Sequence, residues 1–215
     1  MISRRFFFAA AAGLLLGLSF GRPAAAGDQD PRAFVVHLAD KAMEIMTVKG
    51  ATDQDRVTKF RTLFASDVDI PEISKFVLGR YWRLSSPEQQ QEFIRSFEEI
   101  LVLTWSARFK DYGGDLRHTV TNVSPDGDLG VMVDSLVDRQ RQQPIALQWR
   151  LRRDGGGGLR VTDLVVEGSS MAITYRSEYA AVIQANGGKV EGLLSALRAK
   201  LAELQAGGSS STKAD

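Results

Sequence analysis

His37 and His118 are the two histidines of this chain, and it has no cysteine. A tetrahedral zinc site built on His and Cys needs more than that. Both histidines read as surface or rim residues. The serines at Gly168-Ser169-Ser170 lack the closing glycine of G-x-S-x-G and lead into no triad. As the cap of a following helix, Ser169 or Ser170 is fully explained. Four glycines, 155 to 158, lack the Lys-Ser/Thr of a phosphate loop, and a strand rather than a helix follows them. They read as a flexible hairpin tip. Arg150, Arg152 and Arg153 form a basic cluster beside that tip. It fits a solvated hairpin end, or a contact for an acidic partner or phosphate. Glu98 and Glu99 are helix neighbours that do not face each other, and both fit the solvent side. Catalysis has little to stand on. What the chain holds in excess is large apolar side chains.

The elements that carry those side chains can be placed. Asp30-Pro31 is a cap followed by proline at the first helical position. Phe34, Leu38, Ala42, Ile45 and Met46 follow at helical spacing, and Gly50 closes the helix. Thr52 with Asp55 forms a capping box in which Asp replaces Glu. The helix it opens puts Val57, Phe60, Leu63 and Phe64 on one face. A short piece, "IPEISKFVLGRYW", breaks at Gly79. Ser86-Pro87-Glu88-Gln89 then opens the longest helix, to about Lys110. Its apolar positions include Phe93, Ile94, Phe97, Ile100, Leu101, Thr104, Trp105 and Phe109.

After Gly113-Gly114 the apolar period changes from 3.6 to 2. Four strands are expected, Leu116 to Val123, Leu129 to Val137, Ile145 to Leu151 and Leu159 to Val166. Short polar turns join them, so the sheet is an antiparallel meander. Ile145, Leu147, Trp149 and Leu151 share one face, and Val131, Val133, Ser135 and Val137 make a similar face. Helices must cover it: the long one and two C-terminal ones, about 169–186 and 189–204. The expected class is α+β, a four-stranded antiparallel meander against N- and C-terminal helices, in one domain over 27–205. The tail, 206–215, is polar and expected to be disordered.

The N-terminus has the order of a secretory signal: Arg4 and Arg5, an apolar run from Phe6 to Phe20, then Ala24-Ala25-Ala26. Residues 1–26 are therefore expected to be a signal peptide. The Arg-Arg pair fits a twin-arginine signal or an ordinary one. Residues 1–26 carry three arginines and no acid, so their loss takes Lys+Arg from 27 to 24 against 26 Asp+Glu, and the net charge from +1 to −2. Such a near-neutral protein is not built for nucleic acid. Without cysteine, the fold must hold on its apolar core alone.

Three stretches carry a family resemblance. "VTDLVVEGSSMAITYRSEY", 161 to 179, resembles the strand, Glu-Gly turn and Tyr-Arg helix of the MlaC family, also called the toluene-tolerance auxiliary family. "GGKVEGLLSALRAKL", 187 to 201, resembles its ending. "FVLGRYWRLSSPEQQQEFIRSFEEILVLTWSARF", 76 to 109, resembles its V-L-G piece, S-P-E-Q start and aromatic helix. One departure is Gly168-Ser169-Ser170-Met171, where many relatives carry a bulkier apolar residue after the glycine.

The resemblance implies a non-catalytic periplasmic carrier of glycerophospholipid that maintains outer-membrane lipid asymmetry. It implies an inner-membrane lipid ABC transporter complex and an outer-membrane lipoprotein complex as partners, no cofactor, and a monomer. A carrier of hopanoid or another isoprenoid lipid shares the architecture. A lipid esterase is disfavoured for want of a nucleophile, and a structural module with merely a core is the third alternative. A diacyl lipid has about 30 methylenes, whose exposure at about 0.8 kcal/mol each would cost roughly 20 kcal/mol or more. A deep apolar pocket is needed, between sheet and helices. Strand parity and helix spacing assign its lining to Phe97, Leu101, Trp105, Val133, Leu147, Trp149, Tyr175 and Tyr179, with Met171 beside the last two. Arg176 is expected at the rim, or paired with a buried carboxylate such as Asp163.

Overall fold

The computed structural model describes residues 30–48, 50–110, 116–128, 130–139 and 142–210. The expected signal peptide, the Gly113-Gly114 break and residues 211–215 lie outside this range.

Helix α1 (Pro31–Thr47) starts where Asp30 accepts from the Arg32 and Ala33 amides. Helix α2 (Asp53–Asp67) starts on a reciprocal box between Thr52 and Asp55. Helix α3 (Ile70–Leu78) runs into a 3-10 turn, Gly79–Leu84. Helix α4 (Pro87–Lys110) opens with Ser86 and Gln89 bonding each other's amides. Each cap satisfies amides that the first turn leaves unpaired.

The sheet follows as β1 (Leu116–Asp126), β2 (Gly130–Arg139), β3 (Ile145–Arg153) and β4 (Leu159–Val166), antiparallel and in sequence order. A fifth strand, β5 (Ser169–Ser170), was not expected from the alternation pattern. It pairs Val165 with Ser170 and Val166 with Ser169. The two-residue turn uses Glu167 at φ 49 and Gly168 at φ 78, the left-handed pair that matches strand twist. Glu167 bears a side chain in that region, and its carboxylate is engaged, accepting from the Ala146 amide at 2.6 Å.

Helices α5 (Met171–Ala185) and α6 (Val190–Ser210) complete the chain. Helix α6 continues to Ser210, into the first part of the segment 206–215 that was expected as a tail. Its helix formers Leu201, Ala202, Glu203, Leu204, Gln205 and Ala206 carry the period past the predicted end.

Two apolar cores result. One joins α3 to α6, with Phe93, Phe97, Tyr179, Ile183 and Leu194 at its centre. The other joins α1 and α2 to the sheet through Val35, Phe60, Val102, Val133 and Leu151. The outer face of the sheet is polar, with Asp134 bonded to Asn122 and Gln148 on flanking strands. Val68 and Asp69 approach the β4 side of the sheet through Val161.

Candidate functional site

The seam between the two cores is not filled. An apolar cavity of about 150 Å3 lies there. Helix α1 contributes Leu38 and Ala42, and α2 contributes Phe60, Leu63 and Phe64. Val68 and Ile73 follow, then Phe97, Leu101 and Trp105, three successive turns of α4. The sheet adds Trp149, Val161, Asp163 and Leu164, and α5 adds Met171, Ala172 and Tyr175.

Of the nine residues assigned to a lipid pocket from sequence, Phe97, Leu101, Trp105, Trp149, Met171 and Tyr175 line this cavity. Val133, Leu147 and Tyr179 do not. Val133 is fully buried in the sheet core, directly opposite Trp149 in the ladder. Tyr179 sits behind the lining, edge-on to Phe93 at 5.9 Å and to Phe97 at 6.0 Å. Burial holds its phenol well above the usual range. Leu147 lies two residues beyond Trp149, opposite Ser135 and Val166.

The lining from α1 and α2, together with Leu164, was missed by sequence reasoning. The apolar periods of α1 and α2 were visible, but not their partner. Leu164 is hidden by a bulge. Leu151 pairs with Val161 and Arg150 with Asp163, so Thr162 is an extra residue in β4. Side chains three apart, Val161 and Leu164, thereby pair with Leu151 and Trp149 of a single β3 face.

Among the described lining residues the only charged one is Asp163, and it is satisfied. Its Oδ1 accepts from the Ala172 amide at 3.0 Å, its Oδ2 from the Ser170 hydroxyl at 2.6 Å. Arg150 approaches at 3.4 Å and lies 2.8 Å from Asp126 on its other side. The expected Asp163–Arg176 pair is not formed. Arg176 is exposed, stacked over Phe76 at 4.9 Å and donating to the Phe76 carbonyl at 3.3 Å. It bridges α5 to the end of α3, where the chain turns at Gly79 with φ 54. Solvent makes that placement cheap for a cation, whereas burial without a full partner is costly.

Beside the cavity, Trp149 donates from Nε1 to the Ser135 hydroxyl at 2.9 Å, and His118 meets the indole edge-on at 6.2 Å. His118 is half-buried, its Nε2 has no hydrogen-bond partner among the described residues, and burial lowers its pKa. His37 is exposed. Glu99, expected toward solvent, is half-buried and accepts twice from Arg61 across α2 and α4. Among the described residues no cluster of three or more His, Asp or Glu is arranged to hold a metal. No helix among them is long and apolar enough to cross a membrane. The apolar lining suits the shielding of an apolar group from water.

Comparison with known proteins agrees with this architecture. A solved structure, described as the phospholipid-binding protein from Ralstonia solanacearum in complex with a phospholipid, is similar with a TM-score of 0.72. The likeness covers 82% of this chain and 99% of that one at 24% sequence identity, and it speaks to the fold. A family model described as MlaC protein matches residues 37–199. The chain belongs to the MlaC family.

Proposed function

We propose that this protein is a non-catalytic lipid carrier that holds the acyl chains of a glycerophospholipid in the cavity between its two cores. The observation that carries the reading is the lining: apolar side chains, plus one carboxylate already bonded to Ser170 and Ala172. The Asp163 carboxylate and the Ser170 hydroxyl beside it are engaged with each other and with the Ala172 and Ile173 amides that open α5, which fits a structural link better than an esterase centre. Membership of the MlaC family and the phospholipid described in the similar Ralstonia protein support the same ligand class.

The carrier works in the periplasm, after removal of residues 1–26, and exchanges lipid between an inner-membrane ABC complex and an outer-membrane lipoprotein complex. A cavity near 150 Å3 is of the size that takes one benzene ring. Two acyl chains need it to widen. The lining includes the half-buried side chains of Phe64, Ile73, Trp105, Met171 and Tyr175, whose movement would enlarge the cavity. Native mass spectrometry on protein purified without detergent tests the reading. Bound diacyl glycerophospholipid is the expected result. A bound hopanoid moves the ligand class, and an empty protein overturns the carrier.

A further inference from the structure

A second concavity lies on the other side of Leu63. It is an open groove of about 280 Å3 between α1 and α2, and Leu63 is the residue it shares with the apolar cavity. Helical spacing makes this division. On α1, Leu38 and Ala42 face the cavity while Lys41 and Ile45 face the groove. On α2, Phe60 and Phe64 face the cavity while Lys59 and Thr62 face the groove. The helix pair thus stands between an apolar compartment and one edged with charged side chains, and Leu63 borders both.

The groove is cationic at its edges. Lys41 and Lys59 line it with one carboxylate, Glu44, and neither lysine has an ion-pair partner among the described residues. Asp55 lies one helical turn before Lys59 and is influenced by it. The hydroxyls of Thr62 and Ser66 donate to their own helix, to the Thr58 and Leu63 carbonyls. Asp67 also accepts from Ser66. The two ammonium groups are therefore the groove's free donors toward an anion. A phospholipid has this same division, apolar tails joined through glycerol to a phosphate.

We infer that the groove receives the phosphate of the lipid whose chains fill the cavity. Lys41 and Lys59 contact the phosphodiester, Glu44 accepts from a headgroup amine where one is present, and Leu63 turns aside where the glycerol passes. The inference rests on the carrier reading and adds to it a headgroup site and the side of the molecule by which lipid enters. The tails alone would leave the two lysines without a role and would bind diacylglycerol equally well.

The test uses the full mature chain, delipidated, and a Lys41→Glu, Lys59→Glu double variant. Both lysines are exposed, so the variant keeps its core, and matching melting curves check this. Each protein is incubated with phosphatidylglycerol vesicles containing a few per cent of diacylglycerol with the same chains. Bound lipid is then read by native mass spectrometry and divided by vesicle composition. The wild type should favour phospholipid over diacylglycerol by about tenfold, from two exposed ion pairs together, and the double variant should lose most of that preference. A wild type without preference, or a preference the variant keeps, overturns the headgroup site while leaving the carrier intact. A wild type that takes up neither lipid overturns the carrier reading as well.

Discussion

Asp163 of β4 accepts the Ser170 hydroxyl at 2.6 Å, and through it holds the first turn of α5 against the sheet. Ser170 in turn accepts from the Ile173 amide as the helix cap, while Asp163 takes the Ala172 amide directly. The glutamate-glycine turn between them is the device that brings the two residues together. One wall of the cavity, Met171 to Tyr175, hangs on this link.

Asp163→Ala should therefore destabilise the lipid-free protein by about 3 kcal/mol, because it strips a buried network of its charge. Arg176→Ala should cost under about 1 kcal/mol, since its pairing with the Phe76 ring and carbonyl is solvent-exposed. Urea titrations of both variants decide the matter. If Arg176→Ala proves the more damaging, the assignment of Asp163 to Ser170 and Arg150 is wrong.

Gly168→Ala and Gly79→Ala separate strain from contact. A methyl on Gly168, at φ 78, meets nothing within 4 Å, so only the left-handed backbone resists it. About 1 kcal/mol is expected. A methyl on Gly79, at φ 54, would lie 2.9 Å from Arg176 Nη2. Gly79→Ala should cost more, and adding Arg176→Ala should give part of it back as a non-additive term. Strict additivity in the double variant would mean that the guanidinium does not sit against Gly79.

An empty cavity lacks packing partners, so bound lipid should stabilise the fold. At a thousandfold excess over Kd a ligand adds about 4 kcal/mol, or roughly 8 to 16 °C in Tm for a domain of this size. Paired melts of native and delipidated protein measure it. Ala42→Phe, at a half-buried lining position, should lower lipid retention and narrow that gap. Val133→Trp, which strand parity alone would recommend as a plug, should instead unfold the protein, because Val133 is fully enclosed in the sheet core. Equal Tm values for loaded and emptied protein would remove the ligand from the stability of this fold.

His118 makes stability depend on pH. Burial lowers its pKa in the folded state, with Asp40 opposing to a smaller degree. The unfolded chain then takes up a proton that the folded one refuses. Stability is full above the unfolded value near 6.5 and falls as pH drops below it toward the folded pKa. The wild type should lose more Tm between pH 7.5 and 5.5 than His118→Phe does. Identical losses would assign the acid sensitivity to carboxylates alone.

Local structure was legible because its causes are local. The caps at Asp30, Thr52 and Ser86, and the change of period after the long helix, each depend on neighbours a few residues away. The fifth strand escaped notice because two serines carry no alternation, and the turn that makes them pair needs an unusual φ at Glu167. The glycines and serines after Ala206 read as a tail, whereas the helix anchored by Leu193, Leu194 and Leu197 in the core extends to Ser210.

The sequence by itself determined the α+β class, the order of the meander, the family, and the aromatic row of α4 that faces inward. Those follow from periodicity and motif, which are properties of the chain read along its length. Only the tertiary structure decided which apolar residues border empty space and which are merely core. Phe97 and Val133 look alike in a pattern of buried positions, yet one lines the cavity and the other is packed on every side. The difference arises where two cores meet imperfectly, and a bulge at Thr162 changes which side chains arrive there. It also decided that Asp163 is paired with Arg150 and Ser170 while Arg176 lies in solvent. A charge's partner is set by what folding brings within a few ångströms, and that distance has no counterpart in sequence separation.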